Sequence, residues 1–166
     1  MKRRSMGHMR ATQLPLSIQA SQKRESRSQF AALPYRVVDD ALQILLVTSR
    51  RTQRWILPKG WPEDGLTPGQ CAAKEAWEEA GVTGKAFDIC LGVYSFEKFV
   101  PKAEDLPVMG LVYPVKVQKT YPSWPEAKDR RRKWFRPKKA ASAVDSKELK
   151  RILKTFDPKM LKGRGV

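Results

Sequence analysis

Residues 60–82 read Gly60-Trp-Pro-Glu-Asp-Gly65-Leu-Thr-Pro-Gly-Gln-Cys71-Ala-Ala-Lys-Glu75-Ala-Trp-Glu78-Glu79-Ala-Gly81-Val82, a loop that turns into a helix. Pro58 to Gly69 holds three prolines and three glycines, which excludes regular structure over most of that stretch. Thr67-Pro68 is a helix start, with Thr as N-cap and Pro at the first helical position. The pattern predicts a helix through Ala80, stopped by Gly81 as a C-terminal cap. At about 100° per residue, Glu75, Glu78 and Glu79 share one narrow sector of that helix. Ala73, Ala76 and Ala80 lie on the other side, a small-residue face that can sit close to a sheet. Like charges at helical spacing repel by about 0.2–0.5 kcal/mol per pair, so stability alone does not gather three of them. A divalent cation removes the conflict, because hard oxygen donors at i, i+3 and i+4 suit Mg²⁺ or Mn²⁺. A solvated acidic face is the other reading of the same periodicity.

Strands are expected on both sides of this unit. Phe30 to Val38 and Leu42 to Thr48 flank a turn at Asp39-Asp40-Ala41, and Trp55-Ile56-Leu57 is a short apolar piece after the charged loop Arg50 to Arg54. Phe87 to Phe96 and Val108 to Val117 read as two more strands, joined by the mixed loop 97–107. A Pro/Trp-rich connection at 120–130 leads to a short strand, Lys133 to Arg136, and a short helix, Pro137 to Val144. Ser146 then caps a final helix to about Phe156, with Leu149, Ile152 and Leu153 as its apolar stripe. The sum is one mixed α/β domain over 29–158, between a flexible basic stretch at 1–28 and a basic tail at 159–166.

Thirty-three Lys and Arg against 17 Asp and Glu give the 166 residues a formal charge of +16, which favours an acidic partner or substrate. Hydrophobic residues at 41% exclude a wholly disordered chain. No apolar run approaches the roughly 18 residues of a membrane span. Cys71 and Cys90 have no His or Cys neighbours for zinc and cannot build a disulfide scaffold, so a reduced, cytoplasmic setting is the simplest expectation. Residues 1–28 hold seven Lys and Arg against Glu25 alone; no apolar core follows, so they do not read as a secretory signal. Lys128 to Lys139 packs eight basic residues around Trp134 and Phe135. Within this basic chain, five of the 17 acids fall between Glu63 and Glu79.

The loop before the helix sharpens the choice. Gly60 to Gly65 leads to a helix N-terminus, where backbone N–H groups and the dipole favour phosphate oxygens. Lys59 stands beside Gly60, with Arg50, Arg51 and Arg54 just upstream. Such a set suits a polyphosphate gripped by Arg and Lys beside a carboxylate cluster of metal size. Residues 60–82 resemble the Nudix box, a 23-residue pattern reading G-x5-E-x7-R-E-U-x-E-E-x-G-U, with U a bulky aliphatic. Gly60, Glu75, Glu78, Glu79, Gly81 and Val82 match. Leu66 stands where the family has Glu, Lys74 where it has Arg, and Ala76 at the first aliphatic position. In the family that Glu and Arg brace the loop; here both have changed together, and Lys74 keeps the charge without the bidentate fork. Leu46-Val-Thr-Ser-Arg50, Arg54 to Pro58, Trp124-Pro-Glu-Ala and Arg132 to Phe135 are similar to the diphosphoinositol polyphosphate phosphohydrolase branch.

The resemblance implies a Nudix fold, a mixed sheet sandwiched between helices, and hydrolysis of a nucleoside diphosphate linked to a moiety X or of a related pyrophosphate. It implies Glu75 and Glu79 as principal Mg²⁺ ligands with the Gly60 carbonyl, and Glu78 as ligand of a second ion or as base. Arg50, Lys59, Arg54 and Lys133 are the candidates for gripping substrate phosphates, and Trp61 is a candidate to stack on a substrate ring. With the charge, this points to diphosphoinositol polyphosphates or diadenosine polyphosphates as substrates. Two alternatives stay open: an RNA 5′-pyrophosphohydrolase, and an RNA- or ribosome-binding module on an inactive Nudix scaffold, with nucleic acid held by the basic clusters. The sequence leaves the oligomeric state open.

Overall fold

The computed structural model describes residues 14–16, 27–98 and 106–163. In chain order the elements are β1 (Ser28–Val38), β2 (Ala41–Thr48), β3 (Trp55–Ile56), β4 (Lys59–Gly60), α1 (Pro68–Ala80), β5 (Val82–Ala86), β6 (Gly92–Lys98), β7 (Leu106–Thr120), β8 (Arg132–Phe135), α2 (Pro137–Ala143), α3 (Lys147–Thr155) and a 3₁₀ turn, Pro158–Leu161. The strands form one mixed sheet with the path β3-β2-β1-β7-β5; β4 joins β1, β6 joins β7 and β8 joins β2. β1 and β7 are parallel, with Ala31 opposite Val112, and the other pairings are antiparallel.

Alternation along the strands gives the sheet two apolar faces. Phe30, Ala32, Leu45, Val47, Tyr113 and Val115 meet Ala72, Ala76 and Ala80 of α1 on one side. Ala31, Leu33, Tyr35, Ile44, Leu46 and Val112 meet Leu149, Ile152 and Leu153 of α3 and Ala140 and Ala141 of α2 on the other. The sandwich of helices about a mixed sheet is the fold expected from the sequence. Ala72 takes the innermost place in α1 that the periodicity had given to Ala73, which is only partly buried.

Three details differ from expectation. Lys59–Gly60, inside the stretch read as loop, pairs antiparallel with β1 at Ala31 and Phe30. β5 was hidden by Gly84, a residue that weakens strand signals. It sits where the β5–β7 register shifts, and a Cβ there would meet Lys116 O at 1.8 Å. The strand expected from Phe87 begins only at Gly92, because Phe87 to Leu91 serve as the connection from β5. Beyond 29–158, Leu161 is buried in the α3-side core and Leu16 packs on the α1 side. Among the described residues no helix is long and apolar enough to cross a membrane.

Candidate active site

α1 is fixed at both ends before any chemistry is considered. Thr67 Oγ1 accepts the Gln70 N–H at 3.2 Å and Gln70 Oε1 accepts the Thr67 N–H at 2.9 Å, a reciprocal cap that satisfies two orphan donors. At the far end Gly81 takes the left-handed conformation, φ 66°, and donates its N–H to Trp77 O at 3.0 Å. Its missing Cβ leaves room for Arg132 and Trp124, which a side chain would meet at 2.6 and 2.7 Å. Arg132 donates to Ala80 O at 2.9 Å and to Tyr121 O at 2.6 Å while lying over the Trp124 ring at 3.9 Å. Trp124 Nε1–H donates to Glu79 O at 3.1 Å. The helix that carries the carboxylates is thus anchored through Trp124 and through Arg132 at the start of β8.

The three glutamates have different surroundings. Glu75 is half-buried with its carboxylate against Gly60, where a Cβ would meet Oε1 at 2.1 Å. Burial, then the negative charges of Glu79, Glu78 and Glu63, push its pKa up to about 7. Glu79 is 6% exposed; Oε2 accepts the Lys59 N–H and Oε1 accepts Arg130 Nη2, each at 3.1 Å. Burial raises the Glu79 pKa, while Arg130 and Lys59 pull against that rise. Glu78 is the outermost, with Lys74 Nζ 3.9 Å away. Among the described residues no three His, Cys, Asp or Glu side chains converge closely enough to hold a metal ion. The physical reason is that Glu79 is turned to Arg130 and Lys59, and Glu78 outward beside Lys74. The donor chemistry nonetheless fits a hard divalent cation. These are oxygen donors, with burial and then the neighbouring carboxylates raising the proton affinity of Glu75, beside a glycine whose Cβ would displace that carboxylate.

The predicted phosphate-binding cations divide. Arg54 and Lys59 line one cleft of about 460 Å³ with Trp55, Tyr94, Phe96, Asp145 and Ser146. Lys59 Nζ lies 4.7 Å from the centre of the Phe96 ring, and Arg54 pairs with Asp145 at 3.1 Å. Tyr94, 4% exposed, is close enough to Glu79 for that charge to reinforce the rise that burial gives its hydroxyl pKa. The cleft therefore adjoins the carboxylates. Arg50, Lys133 and Trp61 are not among its lining residues. Arg50 is exposed and pairs with Glu126, and Lys133 Nζ lies 5.2 Å from the Phe135 ring centre.

Two residues of the site, Arg130 and Arg132, were not among the sequence candidates. Arg130, with 9% of its side chain exposed, donates to Thr48 O at 3.0 Å and links Glu79 to Glu126, which lies 3.5 Å from its Nη2. Chain separations of 51 and 82 residues hide these contacts from any local pattern. The signal available was alternation: in Arg130-Arg-Arg-Lys133, Arg130 and Arg132 reach α1, whereas Arg131 and Lys133 lie over Trp55 and Phe135 on the opposite face.

Fold and carboxylate helix together define the class: residues 28–156 match the NUDIX domain, and the chain belongs to that family. It is 34% identical over 118 residues to Nudix hydrolase 12, mitochondrial, of Arabidopsis thaliana, covering 69% of this chain and 58% of that protein. It is 31% identical over 120 residues to diphosphoinositol polyphosphate phosphohydrolase 3-beta of Homo sapiens, covering 71% and 69%. Among solved structures it resembles a C. elegans Ap4A hydrolase with a TM-score of 0.58 at 20% identity, over 80% of this chain and 97% of that one.

Proposed function

We propose that this protein is a Mg²⁺-dependent pyrophosphohydrolase of highly phosphorylated, strongly anionic substrates, of the diphosphoinositol polyphosphate or diadenosine polyphosphate kind. The observation that carries the reading is Glu79, a buried carboxylate held by the Lys59 N–H and Arg130, beside Glu75 and next to a cleft bearing Lys59 and Arg54. The similarity to a diphosphoinositol polyphosphate phosphohydrolase and the charge of +16 support the substrate class.

In this reading Glu75 and Glu79 hold the cation with the Gly60 carbonyl; Mn²⁺ can replace Mg²⁺. When bound, such an ion polarises a phosphoryl oxygen and lowers the pKa of water. Arg130 and the Lys59 N–H fix the Glu79 carboxylate, so its orientation is set before substrate arrives. Lys59 and Arg54, which line the cleft, grip the substrate phosphates. Glu78 takes a proton from the attacking water as the water oxygen bonds to phosphorus and the bridging P–O bond breaks, its electron pair leaving with the departing phosphate. Trp55 and Phe96 give the cleft apolar walls for the remainder of the substrate. Cys71 and Cys90, not joined in a disulfide, fit a reducing, cytoplasmic setting.

The nucleic-acid reading loses part of its support, since Arg130 and Arg132 of the basic run are turned onto α1. A phosphate-release screen with Mg²⁺ across diphosphoinositol polyphosphates, diadenosine polyphosphates, nucleotide sugars and 5′-triphosphate RNA tests the assignment. Turnover of the first two is expected, falling by about a hundredfold or more in Glu79→Gln. Turnover of RNA alone, or RNA binding that persists without Mg²⁺ and without any turnover, would overturn it.

A further inference from the structure

The loop that bears Gly60 is tied down at a point the family pattern does not provide for. Glu63 and Leu66 are the two ends of one turn, with Leu66 N–H 3.4 Å from Glu63 O. Gly65 stands at its third position with φ 78°, the left-handed region that favours glycine there. Each end is braced from outside. Lys74 Nζ, reaching back from α1, lies 2.7 Å from both carboxylate oxygens of Glu63. Leu16 N–H donates to Leu66 O at 2.9 Å, and Gly65 N–H donates to Leu16 O at 2.8 Å. The Leu16 side chain is partly buried and packs with Leu66 onto the apolar cluster beneath α1.

These contacts fall on two of the three positions where the box departs from its pattern, Leu66 and Lys74. Leu66 replaces an acid, and its apolar side chain gains a neighbour in Leu16. Lys74 replaces an arginine, and its acid partner is Glu63, three residues before the Leu66 position where the family carries an acid. We propose that Leu16 is a positioning residue for the Gly60 loop. It clamps the Gly65–Leu66 end of the turn while the Glu63–Lys74 pair holds the other, and together they replace the Glu–Arg brace. The inference rests on the reading of Gly60 and Glu75 as the cation site. Pairing with Phe30 of β1 fixes the Gly60 end of this glycine-rich loop, and the clamp at Gly65–Leu66 fixes its other end, so the residues between them are held beside the Glu75 carboxylate. An exposed ion pair contributes little by itself, so the apolar clamp carries more of the constraint.

The test uses the full chain with Leu16→Asp, which removes the apolar contact, and Leu16→Met, which keeps it. Hydrogen exchange at the Gly65 amide is followed by NMR beside kcat and KM for the substrate the screen selects. Leu16→Asp is expected to speed Gly65 exchange by about tenfold and to lower kcat by a similar factor with KM within about twofold. Leu16→Met should match the wild type on both. Unchanged Gly65 exchange in Leu16→Asp would refute the clamp; faster exchange with unchanged kcat would refute the positioning role. Should the wild-type chain turn over none of the substrates, Mn²⁺ affinity replaces kcat: a fall of about tenfold supports the role and an unchanged affinity refutes it. Because Gly65 exchange does not depend on turnover, failure of the clamp and failure of the hydrolase reading give different results.

Discussion

Arg130 is the side chain whose removal the site should tolerate least. It is almost wholly buried and answers the charge of Glu79, so Arg130→Met strands a buried carboxylate. The expected cost is about 3–5 kcal/mol, read as a lower urea midpoint, and a midpoint within error of the wild type would contradict the pairing. Gly60→Ala should leave the fold intact while displacing Glu75, whose Oε1 would lie 2.1 Å from the new Cβ. Turnover is expected to fall by about a hundredfold or more with near-native circular dichroism, whereas full activity would dissociate Gly60 from the chemistry. Glu75 also gives the metal-free protein a pH dependence of definite sign. The unfolded chain loses the Glu75 proton near the ordinary value of 4.5, and the folded chain keeps it to about 7. The unfolded state therefore binds fewer protons in that window. Stability with chelator should fall as pH rises from about 4.5 to about 7 and level off above. Mg²⁺ should flatten the slope by taking the place of the proton. Urea midpoints across that range decide; a rise with pH in chelator would contradict the assignment.

At the level of elements, α1 is the part the sequence discloses best, because its signals are local. Thr67, Pro68 and Gly81 place both ends of the helix where the structure has them, and the shared sector of Glu75, Glu78 and Glu79 follows from helical geometry alone. Thr67→Ala should cost about 1 kcal/mol of unfolding free energy through loss of the reciprocal cap. Trp124→Phe removes one hydrogen bond, to Glu79 O, and should cost about 1 kcal/mol. The contacts that orient the carboxylates were not legible, since they come from distant chain. Nothing near Glu79 announces Arg130, and nothing in the Nudix box announces Leu16. β5 stayed hidden for the opposite reason, a local signal that misled: Gly84 reads as a break, yet it serves the irregularity that keeps Val82–Ala86 paired to β7. Lys59–Gly60 was concealed among prolines and glycines, although its pairing with β1 sets Gly60 opposite Phe30.

Taken as a whole molecule, the charge of +16 has a dual use. Arg130 and Arg132 are built into the support of α1, while Lys59 and Arg54 remain at the cleft and the other cations raise the surrounding potential. A field of this sign speeds the approach of polyanions and is screened beyond about 10 Å at 0.1 M salt. The kcat/KM for a polyphosphorylated substrate should therefore fall severalfold on going from low to physiological salt, with kcat nearly constant. A flat salt profile would mean the excess charge plays no part in substrate capture. The account as a whole depends on a cation held by α1 beside Gly60. Titration with Mn²⁺ followed calorimetrically, in the wild type and in the Glu75→Gln, Glu79→Gln double variant, addresses that dependence directly. Saturable binding in the first and its loss in a folded second is the expected result; no binding in the wild type, or undiminished binding in the variant, would contradict it.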